Sequence, residues 1–171
     1  MSTSDIKINK RKNIVTKTIR PEFLEYGLVE REAYWLRKLY AESDRFPEVV
    51  FAKGNVIQTR YIGDRLEGNN VPFDWFGQMS EILEVMSYIG VRHNDIKPHD
   101  ILVRDDRLYL IDFGWATPLL EAIPESWPEG IGGIFRSPKD KPEDRLSFVK
   151  SVEYVMRYEK YEKGDLKPLP L

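Results

Sequence analysis

One stretch, Val91 to Thr117, limits what this chain can become more than any other. It reads VRHNDIKPHDILVRDDRLYLIDFGWAT. His93-Asn94-Asp95-Ile96-Lys97-Pro98-His99-Asp100 is polar and charged, and the apolar Ile101-Leu102-Val103 follows it. Arg104-Asp105-Asp106-Arg107 is turn-like, and a second apolar run leads into Leu110-Ile111-Asp112-Phe113-Gly114. Short apolar runs on either side of a charged turn predict a strand, a turn and a strand. The stretch therefore holds two acidic sites joined by a hairpin.

The order of these residues resembles the catalytic core of the protein-kinase-like superfamily, whose pattern is H-R-D-L-K-P-x-N, a β-hairpin and then D-F-G. Here the first part stands as H-N-D-I-K-P-H-D, and D-F-G is intact. Several required residues fall in register, which gives a specificity that a lone D-F-G lacks. Phosphoryl transfer asks a protein to hold an acceptor hydroxyl in line and to place divalent metal on the phosphates. The resemblance implies that Asp95 orients or deprotonates the acceptor, that Lys97 sits beside the transferred phosphate, and that Asp112 holds Mg²⁺, a hard cation suited to carboxylate oxygen. It implies packing roles for His93 and Phe113. Asp100 stands where the family has a metal-binding Asn; it still offers oxygen to Mg²⁺ but adds negative charge beside Asp112. Asn94 replaces an arginine that typically receives an activation-loop phosphate, so phosphorylation of Thr117 or Ser126 is not expected to act as a switch.

Upstream, Met1 to Ile6 reads as a polar terminus. Ile8 to Ile19 alternates around Ile14-Val15-Thr16-Lys17-Thr18-Ile19, predicting two short strands or one bent strand. Pro21 starts or precedes a helical region, and Leu28 to Tyr40 places Leu28, Trp35, Leu36 and Leu39 near one face at helical spacing. By resemblance Lys17 is the strand lysine that contacts nucleotide phosphates. Glu32 is its expected partner, Glu30 the runner-up, and a solvated helix glutamate the plain alternative. Glu48–Ala52 and Val56–Gly63, around Lys53-Gly54-Asn55, predict a hairpin. Arg60-Tyr61-Ile62 would then be the hinge, where backbone groups meet adenine.

Asp64 to Pro72 reads as a polar linker. Phe73 to Ile89 carries Phe76, Met79, Ile82, Leu83, Met86 and Ile89 at spacings of three and four, predicting an amphipathic helix that Gly90 ends. Trp115 to Gly133 matches an activation segment in position. Ile134-Phe135-Arg136-Ser137-Pro138 lies where the family has A-P-E, and a last helix is expected from Pro142-Glu143-Asp144 through Tyr158. Asp144 resembles a buried aspartate of that helix in the family, although the helix dipole alone also favours an acid there. Glu159 to Leu171 is charged and then Pro-rich, and is expected to be ordered only in part.

Composition narrows the function classes. With 171 residues, 42% apolar and 12% aromatic, the chain has ample material for a core. A net charge of -2 does not favour nucleic acid as the main partner, and Lys7, Lys10, Arg11 and Lys12 read as a solvated strand or tail. There is no cysteine, hence no disulfide or thiolate metal site. No stretch approaches a membrane span, and the N-terminus lacks a signal-like apolar run; a soluble, cytoplasmic protein is expected.

The fold class expected is α+β, a reduced bilobal protein-kinase-like fold. Residues 1–62 would form a small antiparallel β-sheet lobe with one helix, and residues 63–171 a truncated, mainly helical lobe. The cleft would hold ATP and Mg²⁺. The resemblance is to compact bacterial Ser/Thr or lipopolysaccharide-core kinases, with two features absent: no G-x-G-x-x-G loop precedes Lys17, and the late helices are missing. The function implied is ATP- and Mg-dependent transfer of the γ-phosphate to a hydroxyl. Lys97 points to a protein Ser/Thr acceptor; the missing helices point to a sugar or other small molecule. A partner protein is a candidate to complete the phosphate lid. The alternative is a pseudokinase, a binding or regulatory module. A third reading, a metal phosphohydrolase, would use His93, His99, Asp100 and Asp112.

Overall fold

The computed structural model describes residues 2–135 and 143–162. Arg136-Ser137-Pro138, Pro142 and the end of the chain from 163 lie outside the described residues, as do the side chains of 159–162. The alternating run folds as strand β2 (Ile14–Ile19), paired antiparallel with β1 (Ser4–Asn9) across a turn that ends on Asn13 at φ 56°. This corrects the reading of a polar terminus up to Ile6. β1 lies at the sheet edge with five of its six residues exposed, so it has no buried face for the sequence to announce.

Pro21–Tyr26 forms a 3-10 turn, a position where proline's missing N–H costs nothing. Gly27, at φ 61°, redirects the chain into α1 (Leu28–Glu42). β3 (Val49–Lys53) and β4 (Val56–Arg60) then turn about Gly54, and the four-stranded antiparallel sheet runs β1-β2-β4-β3.

The expected linker is partly structured. β5 (Asp64–Arg65) pairs with β7 (Ile101–Arg104), which pairs with β8 (Arg107–Leu110), and Leu66 is buried. Gly63 is needed here, because a Cβ would stand 2.8 Å from the Val103 carbonyl oxygen. Asp105 and Asp106, at φ 50° and 60°, make the two-residue turn whose twist suits a β-hairpin.

α2 (Trp75–Ile89) starts later than its apolar pattern predicts. It buries Gln78, Met79, Ile82 and Met86, while Phe73 and Phe76 are exposed. Phe76 sits on the first turn, beyond the reach of the core, with the Arg145 guanidinium 6.0 Å from its ring centre. Gly90 caps α2 at φ 80° and leads into β6 (Val91–Arg92), which pairs with β9 (Thr117–Pro118). α3 (Asp144–Glu162) closes the described chain.

Two apolar clusters share α1. Trp35, Leu36 and Leu39 join Phe46, Met79, Ile82, Leu110, Phe113 and Phe148; Leu28, Val29 and Ala33 join Ile19, Ile57, Trp115, Trp127 and Ile131. A helix buried along both clusters is fixed in rotation, and that fixes where Glu32 points. Among the described residues no helix is long and apolar enough to cross a membrane.

Candidate active site

The loop after β6 is tied down by α3. Asp144 stands on the first turn of that helix, and its two carboxylate oxygens accept the amides of His93 (2.7 Å) and Asn94 (3.0 Å). Its role is thus to hold the loop, beyond any dipole preference. Burial raises its carboxyl above the usual range, against the two backbone amides that it accepts. Asn94 takes a left-handed backbone at φ 69°, a conformation asparagine tolerates better than most residues. Its amide group donates to the Trp115 carbonyl (2.8 Å) and the Thr117 hydroxyl (3.0 Å), and its Oδ1 accepts from Arg92 (2.7 Å). A neutral side chain thus ties the loop to the segment after D-F-G.

His93 is fully buried and packs edge-on to Phe113, with ring centres 4.6 Å apart. The Asp95 amide donates to its Nδ1 (3.2 Å), which assigns the proton to Nε2, 2.8 Å from the Ile111 carbonyl. Both ring nitrogens are used and His99 is exposed. With both nitrogens of the buried His93 ring engaged inside the protein, neither is left to a metal, which argues against the metal-phosphohydrolase reading.

Asp95 is only 6% exposed. Lys97 Nζ lies 2.6 Å from its Oδ2, and the Gly132 amide donates to its Oδ1. Asp100 closes the short 3-10 turn Pro98–Asp100, where its Oδ2 accepts the Lys97 amide (3.0 Å). Burial, then the nearby Asp112 charge, pushes its carboxyl well above the usual range. Burial works against the Lys97 charge, but Asp100 and Asp95 outweigh it and raise its pKa.

From the sheet side, β2 delivers Lys17 between two acids, 2.9 Å from Glu32 and 2.5 Å from Asp112. Glu30 is exposed. Burial opposes the lysine charge, yet the two carboxylates hold its pKa above the ordinary value. Asp112 is lowered: burial works against the charged form and Lys17 prevails. Glu32 is pushed up to about 7, because burial outweighs a lysine that it shares with Asp112. We therefore take Lys17 and Asp112 as the firmly charged pair. Asp112 sits at φ 67°, a costly backbone for aspartate, and its side chain stays 30% exposed.

Arg60, Tyr61 and Ile62 do not join this contact network. The Arg60 side chain pairs with Glu48 and the Tyr61 hydroxyl donates to Asp64; their amides go to the Glu48 and Asn13 carbonyls. Sequence reasoning missed the supports on the other side. Arg31 donates to the Gly114 carbonyl (2.8 Å) and lies 4.5 Å from the centre of the Trp127 ring, which packs on Trp115. The one signal for these was two tryptophans in a Pro/Gly-rich stretch. Gly132 carried none.

The sequence matches the family model of the RIO domain over residues 4–122. It is 28% identical over 112 residues to the probable serine/threonine-protein kinase YbdM of Bacillus subtilis (strain 168), covering 64% of this chain and 37% of that protein. The fold is similar to the Rio2 kinase–ADP/Mg²⁺–phosphoaspartate complex from Chaetomium thermophilum, with a TM-score of 0.60, 15% identity, and coverage of 100% of this chain and 56% of that one. Monomeric WbdD gives a TM-score of 0.57 at 16% identity, over 86% of this chain and 44% of its own. The chain thus spans about a third to a half of these relatives. The likenesses bear out a protein-kinase-like α+β fold with a small antiparallel sheet.

Proposed function

Since the chain belongs to the RIO domain family, and with it to the protein-kinase-like superfamily, we propose that it moves the γ-phosphate of ATP, with Mg²⁺, to a hydroxyl acceptor. The observation that carries this reading is the bridge of Lys17 between Glu32 and Asp112, beside the Asp95–Lys97 pair and buried Asp100. The donors suit the group: Asp112 offers a partly exposed carboxylate and Asp100 a second carboxyl oxygen, the ligand type Mg²⁺ prefers. When bound, Mg-ATP supplies the phosphoryl group and the metal that neutralises its charge.

In this reading Glu32 holds Lys17 for the phosphates, and Asp112 and Asp100 are the metal ligands. Lys97 steadies the transferred group. Asp95 takes up the acceptor proton through the oxygen that Gly132 now occupies, so the Gly132 amide must yield. Of the hinge residues, Ile62 is the candidate for backbone contact with adenine, since the Arg60 and Tyr61 amides are already engaged. We take residues 1–62 and 63–171 as the two lobes. The likeness to a probable serine/threonine-protein kinase and the presence of Lys97 favour a protein Ser/Thr hydroxyl over a small acceptor. A partner protein would cover the phosphates in place of the absent glycine loop, and the need for ATP argues for the cytoplasm.

Calorimetric titration of Mg-ATP into wild type, Lys17→Ala and Asp112→Ala tests this. Wild-type binding weakened by both substitutions, with transfer abolished by Asp95→Asn, is the expected result. Binding without transfer would make the chain a pseudokinase. No heat from folded wild type would remove the nucleotide from the reading.

A further inference from the structure

Where α1 crosses β3, a recess with a volume of about 440 Å³ opens on the surface. Val29, Ala33 and Ala52 line it, and the two alanines carry nothing beyond Cβ to fill the crossing. Arg37, Lys38 and Lys53 also line it, against one acid, Glu30. Arg37 and Lys53 are exposed and make no ion pair among the described residues. Lys38 lies over the Tyr34 ring, 4.6 Å from its centre, and has no carboxylate either. β3 is the outer strand of its sheet and contributes Ala52 and Lys53 to the recess.

A local excess of three cations over one acid, in a chain of net charge -2, selects an anionic partner. An apolar lining selects a partner that also brings an apolar side chain. Inorganic polyphosphate meets the first condition and not the second. We propose that this recess docks an acidic segment of a partner protein, with one apolar side chain seated on Ala52 and the exposed Tyr34 ring, above the buried Val29 and Ala33, and flanking carboxylates on Arg37 and Lys53. The inference is independent of phosphotransfer. It matters to it because the same helix carries Glu32, so an occupant bears on the element that holds Lys17.

Fluorescence anisotropy with the full chain at low salt tests this. The probe is a fluorescein-labelled peptide, Asp-Glu-Phe-Leu-Asp-Glu, and the control is Lys-Arg-Phe-Leu-Lys-Arg. The acidic peptide should bind and the basic one should not. The exposed double substitution Arg37→Glu with Lys53→Glu should weaken the acidic peptide by about tenfold or more and admit the basic one. Equal binding of both peptides, binding of neither, or no effect of the double substitution would overturn the proposal. So would an equally charged oligonucleotide that binds as tightly, which would make the recess a general anion patch. A wild-type dimer in sedimentation that the substitutions dissolve would assign the recess to a second copy instead.

Discussion

From Val91 to Thr117 the polar groups that matter have named partners: Asp144 under the His93 and Asn94 amides, Lys97 and Gly132 on Asp95, the Lys97 amide on Asp100, Lys17 on Asp112. The β1–β2 hairpin that leads to Lys17 is built differently. Its outer strand is exposed, with Ile6 and Ile8 in solvent, and its contacts are a strand ladder and surface pairs such as Arg20–Asp5. One region holds charge in fixed places through buried bonds, where each loss is costly. In the hairpin only β2 carries such a charge, Lys17, while β1 holds little beyond its backbone. The fold therefore fixes its carboxylates firmly around Asp95 and Asp112 and leaves the outer strand of the first hairpin bare.

The most direct way to break this contrast is Lys17→Met. It leaves Glu32 and Asp112 facing each other without a cation, and should cost about 3 kcal/mol in urea unfolding, as expected when one partner of a buried pair is removed. Asp144→Ala comes next. It strips two loop amides of their acceptor, and a loss of about 2 kcal/mol is expected by the same measurement.

A smaller effect depends on pH. Asp100 and Glu32 have folded-state pKa values above their unfolded ones, so the folded state binds more protons. Their penalty is absent below the unfolded values and grows as pH rises, for Glu32 up to about 7. Asp112 has the opposite sign, but its contribution is already complete above its ordinary value. Asp144, raised by burial, adds to this trend, and His99, lowered by burial and nearby cations, opposes it; wild type should therefore lose stability between about pH 5 and pH 7. Asp100→Asn should flatten that slope and be the more stable protein at the upper end; an unchanged slope would remove Asp100 as its source. The smallest effect belongs to the first hairpin. Ile6→Ser with Ile8→Ser should change stability by no more than about 0.5 kcal/mol. A larger loss by thermal unfolding would mean that β1 contributes to the core after all.

The legible part of the fold was the part with internal period. Ile14–Ile19 and Leu28–Tyr40 bury apolar residues at strand and helix spacing, and the hairpin around Gly54 is marked by its Gly-Asn turn between apolar runs. The start of β1 was missed because nearly all of that strand is wet, and Phe73 and Phe76 misled because apolar spacing continues past the end of the surface they could cover. In the site, the resemblance carried by H-N-D-I-K-P-H-D and D-F-G named the carboxylates Asp95 and Asp112, while spacing gave only the hairpin between them. Gly132 and Arg31 were invisible: one acts through a backbone amide, the other across 83 residues to a carbonyl.

By itself the sequence determined which acids and lysines this protein owns, and that a hairpin links two of them, because period and turn chemistry are local properties. The tertiary structure alone decided that Lys17 serves two carboxylates, that Asp144 supports the loop, and that Asp95 has both oxygens engaged. Those facts depend on burial and on distances of a few ångströms between residues far apart in the chain. The energy of a charge changes several-fold with burial, and no spacing along the chain encodes that.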